Sequence, residues 1–172
     1  DIQSDDERIE WMVLENQGFG IAVSTGRNRN IEKHELLGTE AVCLLPVSHR
    51  LAANEVISPE DLVGENFISY FEGSIFKNDI DKAFNTAKVR RLTRYEGKTT
   101  GAIIGMVGAG LGVSIIDSGF GAGSFDPRCI TIPFKPAIPY TAELLWSTQR
   151  DLSAIQNEFL NMVREEYGDL DI

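Results

Sequence analysis

The segment EAVCLLPVSHRLAANEVISPEDLVGENFIS, residues 40–69, says more about the architecture than any other part of the chain. It begins with an apolar run, Glu40–Leu45, which predicts a strand that Pro46 ends, because proline has no N–H to continue a ladder. An extended, turn-rich stretch follows. It holds a short predicted helix over Pro59–Val63, for which Ser58 has the residue type of an N-cap. The change of character at Pro46 predicts that the chain crosses here from one domain into another.

Beyond this segment, predicted strands alternate with predicted helices. The helix over Asn78–Ala87 has apolar residues at the i, i+3, i+4 and i+7 positions of one face. The other predicted helices are Thr100–Ala109 and Leu152–Glu166, and the predicted strands are Phe67–Tyr70, Val89–Tyr95, Leu111–Ile116, Ile130–Ile132 and Ala142–Trp146. This alternation predicts a mixed α/β fold with largely parallel sheets.

Upstream of residue 40 the pattern is similar. Ser4–Asn16 is predicted to be a helix that a capping box opens, and Gly20–Ser24 is predicted to be a buried strand. A second proline-rich crossing lies near Pro136 and matches the one near Pro46. The two crossings predict a first subdomain made of residues 1–46 and 137–172, with a second subdomain, residues 47–136, inserted between its two parts.

The composition excludes several classes of protein. The 172 residues carry 16 Lys and Arg against 26 Asp and Glu, a formal net charge of −10. A free-standing nucleic-acid-binding domain needs a basic face and is not expected. No apolar run approaches the roughly 20 residues of a membrane span, and two cysteines favour a reducing compartment over a disulfide framework. Because the chain opens in an acidic polar segment without Met, we expect it to be a fragment of a longer protein.

Four ordered stretches of the chain resemble the effector-binding domain of LysR-type transcriptional regulators. Residues 40–69 resemble that family's strand followed by "P.gHpLa....v...dL.ge.fI", and GAIIGMVGAGLGVSIID, residues 101–117, resembles its "V..GlGva.lp" stretch. FGIAVST, residues 19–25, resembles the upstream "DlaI" strand, and AELLWSTQRDLSAIQNEFL, residues 142–160, resembles the closing strand and helix. The spellings GENFISYFEGSIF and GVSIID are closest to a subgroup that controls amino-acid and opine metabolism.

The resemblance implies two Rossmann-like α/β subdomains joined by two hinge strands, similar to type 2 periplasmic binding proteins, with an effector cleft between them. It implies a cytoplasmic regulator without enzymatic activity or cofactor that binds a small-molecule effector and forms homodimers or homotetramers. The helix Asn78–Ala87 is expected to contribute to a dimer face. DNA would be bound through a winged helix-turn-helix that this chain lacks, and we expect the first subdomain to be truncated at its N-terminus, without its first strand and helix.

Ligand sites in such folds lie at the carboxyl ends of strands and at the starts of helices, where free N–H groups and the helix dipole favour an anion. Ser24 and Thr25 end the strand Gly20–Ser24, and the family places a polar contact at this position. They are predicted to offer a hydroxyl or N–H group to the effector; the alternative is that they are ordinary turn residues.

Tyr70, Phe71, Glu72, Gly73 and Ser74 follow the strand Phe67–Tyr70 and form the second candidate group. Gly73 would let backbone approach a ligand closely, and Ser74 would cap the next helix and offer an N–H group to a carboxylate. Glu72 is a candidate partner for an ammonium or guanidinium group, or else a solvated loop acid.

The third candidate group is Glu96, Thr99 and Thr100, between a strand and the following helix. Thr99 has the residue type and position of an N-cap, a role compatible with ligand binding at the same helix start. Glu96 is a second candidate partner for a cation. Two acids facing one cleft, with Ser and Thr donors nearby, predict a zwitterionic, amino-acid-like effector.

Two other functions are alternatives to the regulator. A solute-binding protein of a transport system has the same architecture, and a signal peptide upstream in the parent gene, instead of a helix-turn-helix, would favour it. An enzyme would need a nucleophile–base pair, a metal cluster or a cofactor loop. Gly108, Gly110 and Gly112 lie between a helix and a strand, the reverse of the dinucleotide-binding order.

Overall fold

A computed structural model describes residues 13–15, 18–23, 29–119, 126–149 and 151–167. The strands are β1 (Phe19–Ala22), β2 (Ile31–Pro46), β3 (Asn66–Tyr70), β4 (Leu92–Gly97), β5 (Ser114–Asp117), β6 (Cys129–Pro133) and β7 (Pro139–Ser147). The helices are α1 (Ile75–Thr86), α2 (Thr100–Gly108) and α3 (Ala154–Tyr167), and a 3-10 turn spans Pro59–Leu62. Residues 13–15 are helical, and the rest of the predicted helix Ser4–Asn16 lies outside the described residues.

Backbone contacts divide the chain into two units. The discontinuous unit comprises residues 1–38 and 141–172, and the middle unit comprises residues 39–140. The divisions fall inside the long strands β2 and β7, whereas the sequence suggested crossings at Pro46 and Pro136. Within the middle unit the Ala41 N–H of β2 donates to the carbonyl of Ile138, the residue before β7, at 2.9 Å.

In the discontinuous unit, β1 runs antiparallel to β7, from Phe19 opposite Trp146 to Ala22 opposite Glu143. One face of α3 is buried there, since Leu160 and Val163 join Leu144 and Trp146 in a common apolar cluster. The spacing of three between Leu160 and Val163 puts both side chains on one helix face.

The prediction of largely parallel sheets is wrong. Among the described residues, β3 and β4 form a parallel ladder, while β2 runs antiparallel to both β5 and β6. A parallel pair needs a long crossover, which α1 supplies between β3 and β4. The strand β2 begins in one unit and ends in the other, and it is antiparallel to its partner strands. The alternation of elements along the sequence does not reveal this direction.

The core of the middle unit is formed mainly by side chains from β2, β3, β5, β6, α1 and α2. Phe67, Phe84 and Phe134 are among its largest fully buried residues, and the last two rings stack with centroids 6.2 Å apart. Cys43 is completely buried, and burial raises the pKa of its thiol. These properties are those of an inert core residue rather than of a reactive thiol.

A close approach of two backbones ties β3 to the start of β5. Val113 forms a parallel bridge with Phe67, and its N–H donates to the Asn66 carbonyl at 2.9 Å. At the neighbouring Gly112, a Cβ atom would lie 2.2 Å from the Asn66 carbonyl oxygen, closer than any real contact. Glycine is required at 112 for this packing.

We predict opposite effects for two alanine substitutions of glycine. Gly112→Ala should lower the free energy of unfolding by about 2 kcal/mol or more, because backbone must move to relieve the clash. Gly105→Ala, inside α2 with nothing within 4 Å of the added carbon, should raise it by up to about 1 kcal/mol through the gain in helix propensity. Urea denaturation of both variants measures the difference, and equal effects would contradict the close approach.

Candidate functional site

The parallel pairing of β3 and β4 brings most of the candidate residues to one edge of the middle unit. In the register of the ladder Tyr70 lies opposite Gly97, and both strands end there. After β3 the chain turns through Gly73, which has a φ of +96°, into α1; after β4 it enters α2 directly. Both helices therefore begin at the carboxyl edge of the same strand pair.

Two hydroxyl groups meet at this edge. The Tyr70 and Thr100 oxygens lie 2.9 Å apart, within hydrogen-bonding distance. The Tyr70 ring is buried, and its edge-to-face contact with Phe76 continues from Phe76 to Tyr140, with centroid separations of 5.5 and 5.0 Å. This aromatic row holds the Tyr70 hydroxyl in place.

The environment of Tyr70 keeps its hydroxyl protonated. Burial raises the pKa of Tyr70, the negative charge of Asp117 and Tyr140 raise it further, and the hydrogen bond with Thr100 opposes the shift. Because burial is the largest of these effects, Tyr70 is a neutral phenol that is able to donate a hydrogen bond.

The two helix starts differ in how they are capped. Thr99 caps α2 as predicted, since its Oγ1 accepts a hydrogen bond from the Ala102 N–H at 3.2 Å. Ser74 occupies the N-cap position of α1 with extended backbone angles, but its side chain makes no capping hydrogen bond. We call Tyr70, Ser74, Thr99 and Thr100 the edge site.

The two predicted acids lie elsewhere. The Glu72 side chain is 81% exposed and forms an ion pair with Lys77 at 2.9 Å. Its carboxylate therefore already has a cationic partner within the chain. Glu72 and the exposed Glu96 both line a cavity of about 400 Å³ on the side of the strands that α1 covers. The hydroxyl residues of that cavity are Ser69 and Thr93 rather than the predicted Ser and Thr donors.

Phe71 and Gly97 shape the backbone beside the edge site. The Phe71 N–H donates to the Gly97 carbonyl at 3.2 Å, and the Lys98 ammonium lies 5.9 Å from the centre of the Phe71 ring. A Cβ atom at Gly97 would lie 2.5 Å from Cγ1 of Ile103 in α2. The missing side chain at 97 therefore lets α2 begin close to the strand, a requirement that was not predicted.

Asp117 is the main residue near this edge that the sequence did not single out. It ends β5, is 3% exposed, and raises the pKa of Tyr70 through its charge. Because the chain at Val113 runs parallel to β3, β5 ends at the same edge as β3 and β4. The signal was present as an acidic residue closing the apolar run GVSII, but the predicted strand Leu111–Ile116 ends one residue before it.

The described residues do not include Ser24 and Thr25, which therefore stay a prediction. In the part of the chain that the structure describes, no helix is long and apolar enough to cross a membrane. Within the same ranges no three His, Cys, Asp or Glu side chains are grouped as metal ligands would be.

The different caps predict different costs of removing the hydroxyls. Thr99→Ala should lower the free energy of unfolding by about 1 kcal/mol, because the Ala102 N–H loses its acceptor. Ser74→Ala should change it by less than about 0.5 kcal/mol, since no capping bond is lost. Chemical denaturation at neutral pH compares the two, and a larger cost at position 74 would contradict the observed caps.

The raised pKa of Tyr70 predicts a loss of stability in alkali. An unfolded tyrosine ionises near pH 10. Above that pH the unfolded chain gives up a proton that the folded chain keeps, so stability falls by about 1.4 kcal/mol per pH unit until the folded pKa is reached. Tyr70→Phe should remove this share of the slope and leave the share that the buried Cys43 thiol contributes, whereas Thr100→Val, which leaves the phenol buried, should retain both. Urea titrations between pH 8 and 11 measure the slopes, and equal slopes in the wild type and Tyr70→Phe would contradict the assignment.

Two curated relatives are transcriptional regulators. The transcriptional activator protein LysR of Escherichia coli (strain K12) is 28% identical over 150 residues, which cover 87% of this chain and 48% of that protein. The regulatory protein NocR of Agrobacterium tumefaciens (strain T37) is 28% identical over 152 residues, which cover 88% of this chain and 50% of that protein. The chain thus spans about half the length of these relatives.

Solved structures show the same fold. The regulatory domain of CcmR from Synechocystis, solved in complex with 2-PG, matches with a TM-score of 0.82 at 18% identity over 96% of this chain and 81% of that one. The cofactor-binding domain of the Cbl transcriptional regulator also matches with a TM-score of 0.82 at 16% identity. This match covers 99% of this chain and 75% of that one. The predicted fold, similar to type 2 periplasmic binding proteins, is confirmed.

A family model described as the LysR substrate binding domain matches residues 1–168. The match covers almost the whole chain and agrees with the named relatives, which are regulators rather than enzymes. The prediction that the chain is not an enzyme is confirmed on this basis. The chain belongs to the LysR substrate-binding domain family.

Proposed function

We propose that this chain is the effector-binding and oligomerisation domain of a cytoplasmic LysR-type transcriptional regulator. It senses a small amino-acid-like or carboxylate metabolite and thereby controls DNA binding by a separate helix-turn-helix domain. The observation that carries the proposal is the edge site, where two helix starts and the hydroxyls of Tyr70 and Thr100 lie together at the end of one strand pair.

The chemistry of the edge site suits a carboxylate. The first turn of a helix has N–H groups without intrahelical acceptors, and the aligned peptide dipoles give that end a partial positive charge. Two helices begin at this edge, and the hydroxyls of Ser74, Thr100 and the protonated Tyr70 add further donors. A carboxylate has acceptor sites enough to use several of these groups at once.

Similar regulatory domains support a small-molecule ligand. CcmR was solved with 2-PG, and the effector-binding domain of QuiR, solved with shikimate, matches with a TM-score of 0.77 over 95% of this chain. At sequence identities of 18% and 17%, these similarities show a common fold but not a common ligand. We therefore take the size and polar character of the effector from the edge site and leave its identity to experiment.

Binding must favour one state of the regulator to act as a signal. An effector shifts an equilibrium only by the difference in its affinity for the two states, typically 1–3 kcal/mol of coupling. We propose that these states are alternative arrangements of the assembled protomers, with α1 contributing to the face through which they associate.

A thermal-shift screen tests the proposal with amino acids, opines, aromatic acids and inorganic anions. A compound that binds only the folded chain should add about 2.7 kcal/mol of stability at 100 times its dissociation constant. Thr100→Val and Tyr70→Phe should each weaken its binding about tenfold, because each removes a hydroxyl group that helps to bind the carboxylate. Thr86→Val, at the far end of α1, is the matched control and should leave binding unchanged.

Binding that is equally strong in Thr100→Val, Tyr70→Phe and wild type would contradict the edge site as the place of effector binding. The expected oligomerisation is measured separately by sedimentation velocity with and without the compound. A monomer at all concentrations would contradict that part of the proposal.

A further inference from the structure

The cavity beneath α1 is not used by the proposed function. It has a volume of about 400 Å³, lies wholly within the middle unit and contains none of the edge-site residues. Its size falls in the range of sites for small molecules. Six of its lining residues are charged, three of each sign: Lys77, Arg90, Arg91, Glu72, Asp81 and Glu96.

Two cations in the cavity wall are mostly buried and share one acid. The side chains of Lys77 and Arg91 are each 12% exposed, and both form ion pairs with Asp81. Phe67 and Phe84 hold the Arg91 guanidinium, whose central carbon lies 4.8 and 4.7 Å from their ring centres. Asp81 and Glu72 together compensate these two cations. Arg90, which also lines the cavity, has no ion-pair partner among the described residues, so its charge is left for another anion.

Two candidate donors lie in the same wall. The Nη1 group of Arg91 is buried without an acceptor. Ser69 is 2% exposed and lines the cavity, so its hydroxyl group is a further candidate donor there. Leaving the buried Arg91 N–H group unsatisfied is costly, and a ligand oxygen would satisfy it.

The rest of the lining selects among anions. The three carboxylates Glu72, Asp81 and Glu96 balance the three cations of the lining, so the cavity offers no excess positive charge to a phosphate or a polyanion. Glu96 is exposed and has no ion-pair partner among the described residues. A cation on the ligand would supply that partner.

We propose that this cavity is a second ligand site, separate from the edge site, for a small zwitterion of the amino-acid class. The ligand carboxylate lies against Ser69 and Arg91, and its ammonium group faces Glu96. This inference does not rest on the proposed effector site and stands or falls separately from it.

NMR titration of the chain with the common L-amino acids, one at a time, tests the proposal. Binding should move the backbone amide signals of Ser69, Thr93 and Glu96. The deaminated acid of any amino acid that binds should bind about tenfold more weakly, because it lacks the cation for Glu96.

Variants separate this site from the edge site. Ser69→Ala and Glu96→Gln should each weaken the amino acid about tenfold. Glu55→Gln, an exposed acid outside the cavity, should leave its affinity unchanged. In Thr100→Val the shifts at Ser69, Thr93 and Glu96 should persist, whatever that substitution does to binding at the edge site. Because Glu96 lies on an exposed strand, Glu96→Gln keeps the test valid even if Ser69→Ala fails to fold.

Three results would overturn the proposal. The first is the absence of any shift at these amides with amino acids at up to about 10 mM. The second is unchanged affinity in Glu96→Gln. The third is a set of shifts confined to residues 70–74 and 99–101 that Thr100→Val abolishes, which would place the amino acid in the edge site alone.

Discussion

The parallel pairing of β3 with β4 is the constraint on which the candidate functional site depends. A parallel pair ends both strands at one edge, so the two following helices must begin there. The pairing also requires α2 to begin close to β4, which the absent side chain of Gly97 permits. An antiparallel arrangement of the same elements would put the two helix starts at opposite edges, and Tyr70 would not reach Thr100.

Burial determines what the edge can do chemically. Tyr70 lies in an aromatic row and near the buried Asp117, and both its burial and the negative charge keep its hydroxyl neutral. A neutral phenol donates a hydrogen bond to a carboxylate, whereas a phenolate would repel it. The apolar packing that stabilises the middle unit therefore also maintains the donor character of this group.

Local signals were sufficient to predict much of this unit. The apolar run before Tyr70 and the residue type of Thr99 placed a strand end and a helix cap correctly, because both depend on neighbouring residues. The length of β2 was missed because its first half is rich in charged residues, and its antiparallel direction depends on distant partners. Asp117 and Arg91 were missed as parts of a site for the same reason, since only tertiary packing buries them.

The two predicted acids lie in different surroundings from the predicted hydroxyl donors. Glu72 follows β3 as the edge residues do, but Lys77 in the first turns of α1 already pairs with it. Glu96 precedes the end of β4, and it lines the cavity beneath α1 together with Ser69, its opposite residue in the ladder. Successive side chains of a strand point to opposite faces. Neighbours in sequence such as Ser69 and Tyr70 therefore lie in different environments, Ser69 in the cavity wall and Tyr70 in the edge site. One strand pair can therefore present hydroxyl donors at its edge and an ionic cavity on its face, two chemically different environments.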